Sequence, residues 1–496
     1  MTTAVTAPRK TLLLALCCVS VLLIGIDMTG VNVALPTIGA RFHAGTSGLA
    51  WVVDAYTVTL AAFLLFASST ADRLGRRRIF VAGLTVFVVG SALCAVAPTL
   101  GWLIVFRVVQ ALGAAALNPV AMAIIGTVHT EPAERARALG VWGGVIGLSL
   151  ALGPIVGGAL VDSPLGWRWI FLINVPIGIA ALLLTRRVVP ESRSPFPRRF
   201  DPLGQIFVTA GLAALTLGII EGPVLGWLSA PITAAFAVAA ACLAGLLLHE
   251  PRRFDPLIEL GFFRSFPFAA SNLMAVLSFA ALGSFLFLNS LYLQGERGYS
   301  ALTAGLLVLP LAAVSVVLGP VGGRVLAVRG PRIPLAVAGT GIGATGVMLS
   351  FAGTSTPVWW LLLAYTVMGI GNAAVGAPIS QAAVAGMPRE RIGVATGISS
   401  TSRQIGATLG VAVAGAVLGA GGARGGGGSG GVGWWLNAGY GTAILVLGLL
   451  STTARARASA HAVTGPPPVP PPGDTAPPAG PGTRRPRVGN GRSDGQ

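Results

Sequence analysis

Charge is what this 496-residue chain has least of: Asp, Glu, Lys and Arg make up 10% of it, against 54% hydrophobic residues. An ordinary soluble domain is about a quarter charged, so a water-facing surface of normal size is excluded. Acidic residues number 16 and lysine occurs once, at position 10, while 32 arginines leave a net charge of +17. That excess does not imply nucleic acid, because the arginines are spread over short segments and build no basic face on any predicted domain. The four cysteines, Cys17, Cys18, Cys94 and Cys242, all fall inside apolar runs without metal-ligand spacing. They read as small packing residues and not as a disulfide framework or a zinc site. His43, His129, His249 and His461 fall at or near loops and are assigned no chemistry. There is no phosphate-binding P-loop, no metal cluster and no nucleophile with a base at readable spacing, so neither an enzyme nor a cofactor is expected. Arginine in place of lysine suggests a GC-rich bacterial genome.

Long apolar runs are what the chain has in abundance. Windows of about 20 apolar residues place helices near 11–34, 48–70, 79–97, 101–123, 137–160, 167–186, 203–221, 230–249, 268–292, 302–322, 333–352, 358–384, 393–419 and 434–453. On this fourteen-helix topology 27 of the 33 Lys and Arg fall in cytoplasmic segments. Arg41, Arg168, Arg297 and Arg424 fall outside, and Arg107 and Arg403 lie within helices. One missed helix would invert every later loop, so the bias supports the count and predicts cytoplasmic N- and C-termini. The first run follows Arg9 and Lys10, is about 24 residues long and lacks a small-residue cleavage pattern, so it reads as a membrane helix and not a removed signal. The stretch Gly419 to Gly433 is predicted to be a flexible outer loop, and the Pro-, Gly- and Arg-rich stretch Gly465 to Gln496 to be disordered.

Within the fifth run, GVWGGVIGLSLALGPIVGG from Gly140 to Gly158, small residues recur at Gly143, Gly147 and Ala151, and again at Gly153 and Gly157. Spacing of four puts each set on one helix face, where another backbone can approach closely. Pro154 removes one amide donor, so the segment reads as a pivot or, more simply, as a tightly packed helix.

After the second run comes SSTADRLGRRR, Ser68 to Arg78, in which Asp72 and Arg73 precede a turn glycine, Gly75, and the basic cluster Arg76, Arg77 and Arg78. It resembles the cytoplasmic signature of the major facilitator superfamily, departing from it at Ser68, where glycine is usual. A carboxylate here can pair with arginines and with the positive N-terminus of a helix in the adjoining bundle, making a charge latch. Simple topology determination by the arginines is the alternative. A degenerate echo, GGRVLAVRGPR from Gly322 to Arg332, lacks the aspartate. The resemblance implies an all-α membrane fold of two six-helix bundles, with two extra helices between them in sequence. The chain then parses as a cytoplasmic N-terminus (1–10), an N-terminal bundle (11–186), a linker (187–202), two extra helices (203–249), a linker (250–267), a C-terminal bundle (268–453) and a tail (454–496).

The fourth run carries RVVQALGAAALNP, with Arg107, Gln110 and Gly113, similar to the family's buried-arginine motif apart from Ala111. An arginine there costs about 2.5–3.5 kcal/mol, so it needs a partner. At 1.5 Å per residue, Arg107 lies roughly 9 Å below the outer face and Asp27 roughly 24 Å above the inner one. In a core of about 30 Å these depths agree. Asp27 sits in GIDMTGVNVALP, Gly25 to Pro36, which resembles the first-helix signature of fourteen-helix drug:proton antiporters, where this aspartate is regarded as a proton-coupling site. Movement of Arg107 relative to Asp27 would change proton affinity; a permanent structural pair is the alternative. Asp54, slightly shallower, is a second candidate, or is wet at a helix end. Gly153, Pro154, Gly157 and Gly158 resemble the GPxxGG antiporter signature. WRWIFLINVPIG, RFDPLG, EGPVLGW, HEPRRFDPLIELGFFR and SRQIGATLGVA also resemble that family, over roughly residues 20 to 415.

Asn32, Asn118, Asn174, Asn289 and Asn372, together with Gln110 and Glu221, are candidate polar groups of a cavity, although interhelical hydrogen bonding explains most such residues. Arg403 either faces that cavity or steadies the cytoplasmic ends of neighbouring helices, and the second role is favoured. The resemblance implies proton-coupled export of drugs, antibiotics or amphipathic metabolites by a monomer in the bacterial cell membrane. A nutrient symporter and a non-transporting receptor or scaffold are the other readings. The few membrane carboxylates of the second half argue against a specialist for dications.

Overall fold

The computed structural model describes residues 7–194, 200–253, 256, 258–385, 392–422, 429–453, 455, 456, 458 and 459. Arg198, Arg199, Arg389, Arg391, Arg424 and the stretch Gly465 to Gln496 lie outside the described residues. Fourteen helices are long and apolar enough to cross a membrane, and no strand occurs among the described residues. The first bundle comprises α1 (Ala7–Phe42), α2 (Thr46–Leu74), α3 (Arg76–Ala95), α4 (Leu100–Val128), α5 (Pro132–Asp162) and α6 (Trp169–Val188). The extra pair is α7 (Pro202–Leu225) and α8 (Ala230–His249). The second bundle comprises α9 (Phe266–Leu291), α10 (Ala301–Arg329), α11 (Arg332–Ser350), α12 (Val358–Val384), α13 (Ile392–Gly422) and α14 (Ser429–Ser451).

Several helices run further than their apolar windows. Asp72 and Arg73 form the last turn of α2, because Gly75, at φ 119°, supplies the whole turn into α3. Gly330, at φ 74°, makes the equivalent turn between α10 and α11, within the degenerate echo. α13 continues to Gly422 and α14 begins at Ser429, so the ends of the expected glycine loop are helical. Two helices are interrupted where a proline removes a donor and crowds the carbonyl four residues earlier. α6 breaks at Ile173, three residues before Pro176, and α10 at Val308, two before Pro310.

The extra helices are central in sequence but lie at the flank of the fold. α7 packs on α2 and α13, where Gln205 Nε2 donates to Ala62 O at 2.9 Å. α8 sits outside it, with Gly218 making room for the Phe236 ring and Gly245 for Phe207. Only Ile232 and Ala235 of α8 are buried, as expected of a helix that faces lipid.

At the end that carries Asp162, one apolar core joins both bundles, bringing Leu35, Ile38 and Leu49 together with Phe285, Phe287 and Ala304. At the end that carries Asp72, the core around Phe80, Leu84, Phe87 and Leu117 stays within the first bundle. The bundles are thus fused at one end and parted at the other. The glycines of α5 follow the same division. Gly143 and Gly144 face open space, whereas a Cβ on Gly157 would lie 2.8 Å from Gly30 O of α1, and one on Gly158 2.5 Å from Ala301 O of α10. Leucine at 157 is therefore expected to destabilise the protein by about 1–3 kcal/mol, the usual cost of overpacking. A thermal melt in detergent should show the drop, and an unchanged midpoint would mean that the α1–α5 contact yields freely.

Candidate functional site

Where the bundles part they enclose a cavity of about 830 Å³, within the range that holds a drug-sized molecule. It runs from Thr29, Asn32 and Val411 toward Asp72, Arg76 and the exposed Arg135. Of the polar candidates, Asn32, Asn118 and Arg403 line it, and the side-chain oxygens of both asparagines are buried without a partner. The others do not line it. Asn289 Oδ1 accepts from Tyr365 Oη at 2.5 Å, and Asn372 Nδ2 reaches Ser315 Oγ at 3.4 Å. Glu221 Oε1 accepts from Ser47 Oγ and Trp51 Nε1, both at 2.7 Å, which fastens α7 to α2.

Gln110 and Asn174 belong instead to a sealed polar knot in the first bundle. Arg107 Nη1 donates to Asp27 Oδ2 and to Gln110 Oε1, at 2.5 and 2.7 Å. Gln110 Nε2 donates to Asp27 Oδ1 at 2.9 Å and Asn174 Nδ2 to the same oxygen at 3.4 Å. Arg107 Nε donates to Val52 O at 3.2 Å, and the guanidinium carbon stands 4.1 Å from the centre of the Tyr56 ring. Asp27 is 0% and Arg107 1% exposed, and neither lines the cavity. Depth brings the pair together, and in this conformation each charge is compensated by the other and by neutral hydrogen-bond partners.

Asp54 is not wet: it is 0% exposed. Thr57 Oγ1 lies 3.1 Å from its Oδ1, while Oδ2 has no partner. Thr57 in turn lies 2.9 Å from Thr408 Oγ1 of α13, which bonds Gln404 O at 3.1 Å. Thr57 and Gln404 line the cavity. A chain of hydroxyls therefore leads from a buried carboxyl in one bundle to a carbonyl in the other.

Asp72 does not reach the second bundle. Its Oδ1 takes Arg76 Nη2 and Nε at 2.9 and 3.1 Å, and Arg76 Nη1 reaches Thr127 Oγ1 at 2.5 Å. The following segment closes over the motif, with Arg76 N donating to Ser192 O at 2.8 Å and Arg77 N to Glu191 Oε1 at 3.1 Å. Arg73 is exposed. The cavity separates this corner from the second bundle, which leaves its carboxylate to Arg76.

The cross-bundle cap is at the opposite end, on a residue the sequence did not single out. Asp162, the last residue of α5, accepts Ala301 N at 3.1 Å and Leu302 N at 2.8 Å, the first amides of α10. Gln294 Nε2 adds a bond to Val33 O at 2.9 Å. Four residues after Gly158, an acidic helix end next to an antiporter-like signature was the only hint. At the rim near α7, Asp201 accepts Gly204 N at 3.0 Å and lies 3.0 Å from His249 Nε2. Burial pushes its carboxyl up, but Gly204 N–H, His249 and Arg253 together outweigh that and hold it below the usual carboxylate value.

A family model of the Major Facilitator Superfamily matches residues 17–411. A multidrug resistance protein, Stp, of Mycobacterium tuberculosis is 36% identical, covering 80% of this chain and 74% of the relative. The tetracenomycin C resistance and export protein of Streptomyces glaucescens is 34% identical over 81% of this chain and 74% of its own. A methylenomycin A resistance protein of Streptomyces coelicolor is 35% identical over 79% and 82%. Among solved structures, a peptide transporter of the POT type in complex with sulfate superposes with a TM-score of 0.65, covering 91% of this chain and 94% of its own at 14% identity. The fourteen helices, the two bundles around one cavity and these matches make the chain a multi-pass membrane protein that belongs to the major facilitator superfamily.

Proposed function

We propose that this protein exports amphipathic, drug-like compounds from the bacterial cytoplasm in exchange for protons, by alternating access to the cavity between its bundles. The observation that carries the reading is a single-ended cavity beside Asp54, whose hydroxyl chain ends on the opposite bundle. The names of the relatives, resistance and efflux proteins, support a drug-like cargo. The arginine bias supports a cytoplasmic position for both termini and for the Asp72 end, which makes this conformation open to the inside.

Among the described residues the carboxyl of Asp54 has one hydroxyl neighbour and no cation partner, so its ionised form is poorly solvated there and its neutral acid is readily accommodated. Both protonation states can satisfy the chain because hydroxyl hydrogens rotate. The acid donates to Thr57, Thr57 to Thr408, and Thr408 to Gln404 O. The carboxylate reverses the order, with Thr57 donating to Asp54 and Thr408 to Thr57, which leaves the Gln404 carbonyl. A proton that departs through Thr57 into the cavity as drug arrives therefore changes what α13 bonds to. Asp27 and Arg107 act with Asp54 as the fixed charge pair that holds α1, α2 and α4 around it. Asp72, Arg73, Gly75, Arg76 and Arg77 form the inner latch, engaged across the bundles only when the cavity closes on that side. Gly153, Pro154, Gly157 and Gly158, with Asp162, form the outer seal and pivot.

Everted membrane vesicles energised so that their lumen is acidic should accumulate a transported dye, lose it on addition of a protonophore, and show a reporter fused after residue 460 on the cytoplasmic face. Energised uptake by right-side-out vesicles instead would make the protein an importer.

A further inference from the structure

Among the described residues, the charged side chains that line the cavity are Asp72, Arg76, Arg135, Asp201 and Arg403. Both carboxylates are engaged, Asp72 by Arg76 and Asp201 by His249 and Gly204 N. Arg76 is neutralised by Asp72, and Arg135 stands exposed at the mouth. Asp27 and Asp54 lie outside the lining. Arg403, on α13 deep in the cavity, is different. Its Nη2 donates to Ser400 Oγ, one turn back, at 2.8 Å, and no carboxylate among the described residues lies within ion-pair distance of it. A guanidinium has five N–H donors, so most of these have no partner among the described residues. Beside it on the same helix, Ser399 Oγ and Gln404 Oε1 are buried without a partner. Met28, Phe66, Phe279 and Leu286 supply apolar wall elsewhere in the cavity.

An uncompensated guanidinium at membrane depth is costly unless something neutralises it. We infer that the cavity's ligand is an amphipathic anion, an aromatic or long apolar body bearing a carboxylate or ionised phenol or enol whose oxygens take the free N–H groups of Arg403. This rests on the export reading and names the substrate class for it. A lipophilic cation would meet the same positive charge, and among the described residues the lining carboxylates, Asp72 and Asp201, already face Arg76 and His249. A planar carboxylate suits the guanidinium fork, and Ser399 and Gln404 can complete the bonding of hydroxyl or keto groups next to the acid. Moving an anion outward also follows the inside-negative membrane potential, so charge and proton exchange drive the same direction.

The test uses the full-length protein in nanodiscs and three pyrene probes of one shape: 1-pyrenebutyrate, 1-pyrenebutanol and a 1-pyrenebutyl trimethylammonium salt. Fluorescence titration at neutral pH should give the butyrate an affinity at least about tenfold above the alcohol, as a charge-assisted bond implies, with the ammonium weakest. Arg403→Gln should abolish the butyrate preference while the alcohol still binds, and Arg403→Lys should restore part of it. Equal binding of the three, tighter binding of the ammonium, no binding at all, or a butyrate preference that survives Arg403→Gln each overturns the assignment. Everted vesicles separate this from the export reading. Arg403-dependent butyrate binding without transport of any probe would leave the ligand class standing and sink export. Transport of the ammonium with the butyrate neither bound nor moved would do the reverse.

Discussion

Asp27→Asn is expected to remove most of the folded protein from the membrane, by about 3–5 kcal/mol, the cost of leaving one partner of a buried ion pair uncompensated. Arg107 has no other carboxylate within reach among the described residues: its remaining partners are Gln110, Val52 O and the Tyr56 and Phe171 rings. Arg107→Ala should be at least as damaging, because it also empties the space between α2 and α4 and leaves the buried Asp27 carboxylate without its cation. The informative variant is the double change, Asp27→Asn with Arg107→Gln. Removing both charges should recover much of the lost stability, since a neutral hydrogen-bonded replacement of a buried pair is often close to neutral. Membrane abundance and thermal midpoint in detergent for the two single changes and the double measure this. Additive losses would show that the two charges do not compensate one another.

The sequence carried the membrane class and the number of helices, because apolar length and arginine bias are properties of the chain alone. It also brought Asp27 to Arg107, since both depths follow from residue counts along straight helices. Rotation about a helix axis was not legible in the same way. Glu221, Asn289 and Asn372 sit at plausible depths but turn away from the cavity, while Arg403, assigned by preference to neighbouring helix ends, turns into it. The wet alternative for Asp54 fails for a related reason. Nearness to a helix end suggested water, yet its neighbour Thr57 meets Thr408 of α13 in the other bundle, and no local pattern foretells that contact across 351 positions. The same holds for Asp162 and the first amides of α10, 139 and 140 positions apart. Helix ends were blurred because Asp72 and Arg73 are polar yet helical, whereas the breaks at Ile173 and Val308 had a local signal in Pro176 and Pro310.

Asp54→Asn is the substitution that reaches the coupling itself. Asparagine keeps the shape and can still meet Thr57, so the fold and drug binding should stay within about threefold of the wild type, as near-isosteric changes usually allow. It cannot release a proton, so the Asp54–Thr57–Thr408 chain no longer changes polarity by gain or loss of one. The direct measurement is drug-induced proton release from purified protein in lightly buffered detergent, followed by drug flux in proteoliposomes under an imposed proton gradient. Wild-type protein should release protons on binding and move drug against its gradient. Asp54→Asn should release none and exchange drug only downhill, while the Asp27→Asn, Arg107→Gln double variant should still release protons. Full proton release and uphill transport by Asp54→Asn would contradict the account.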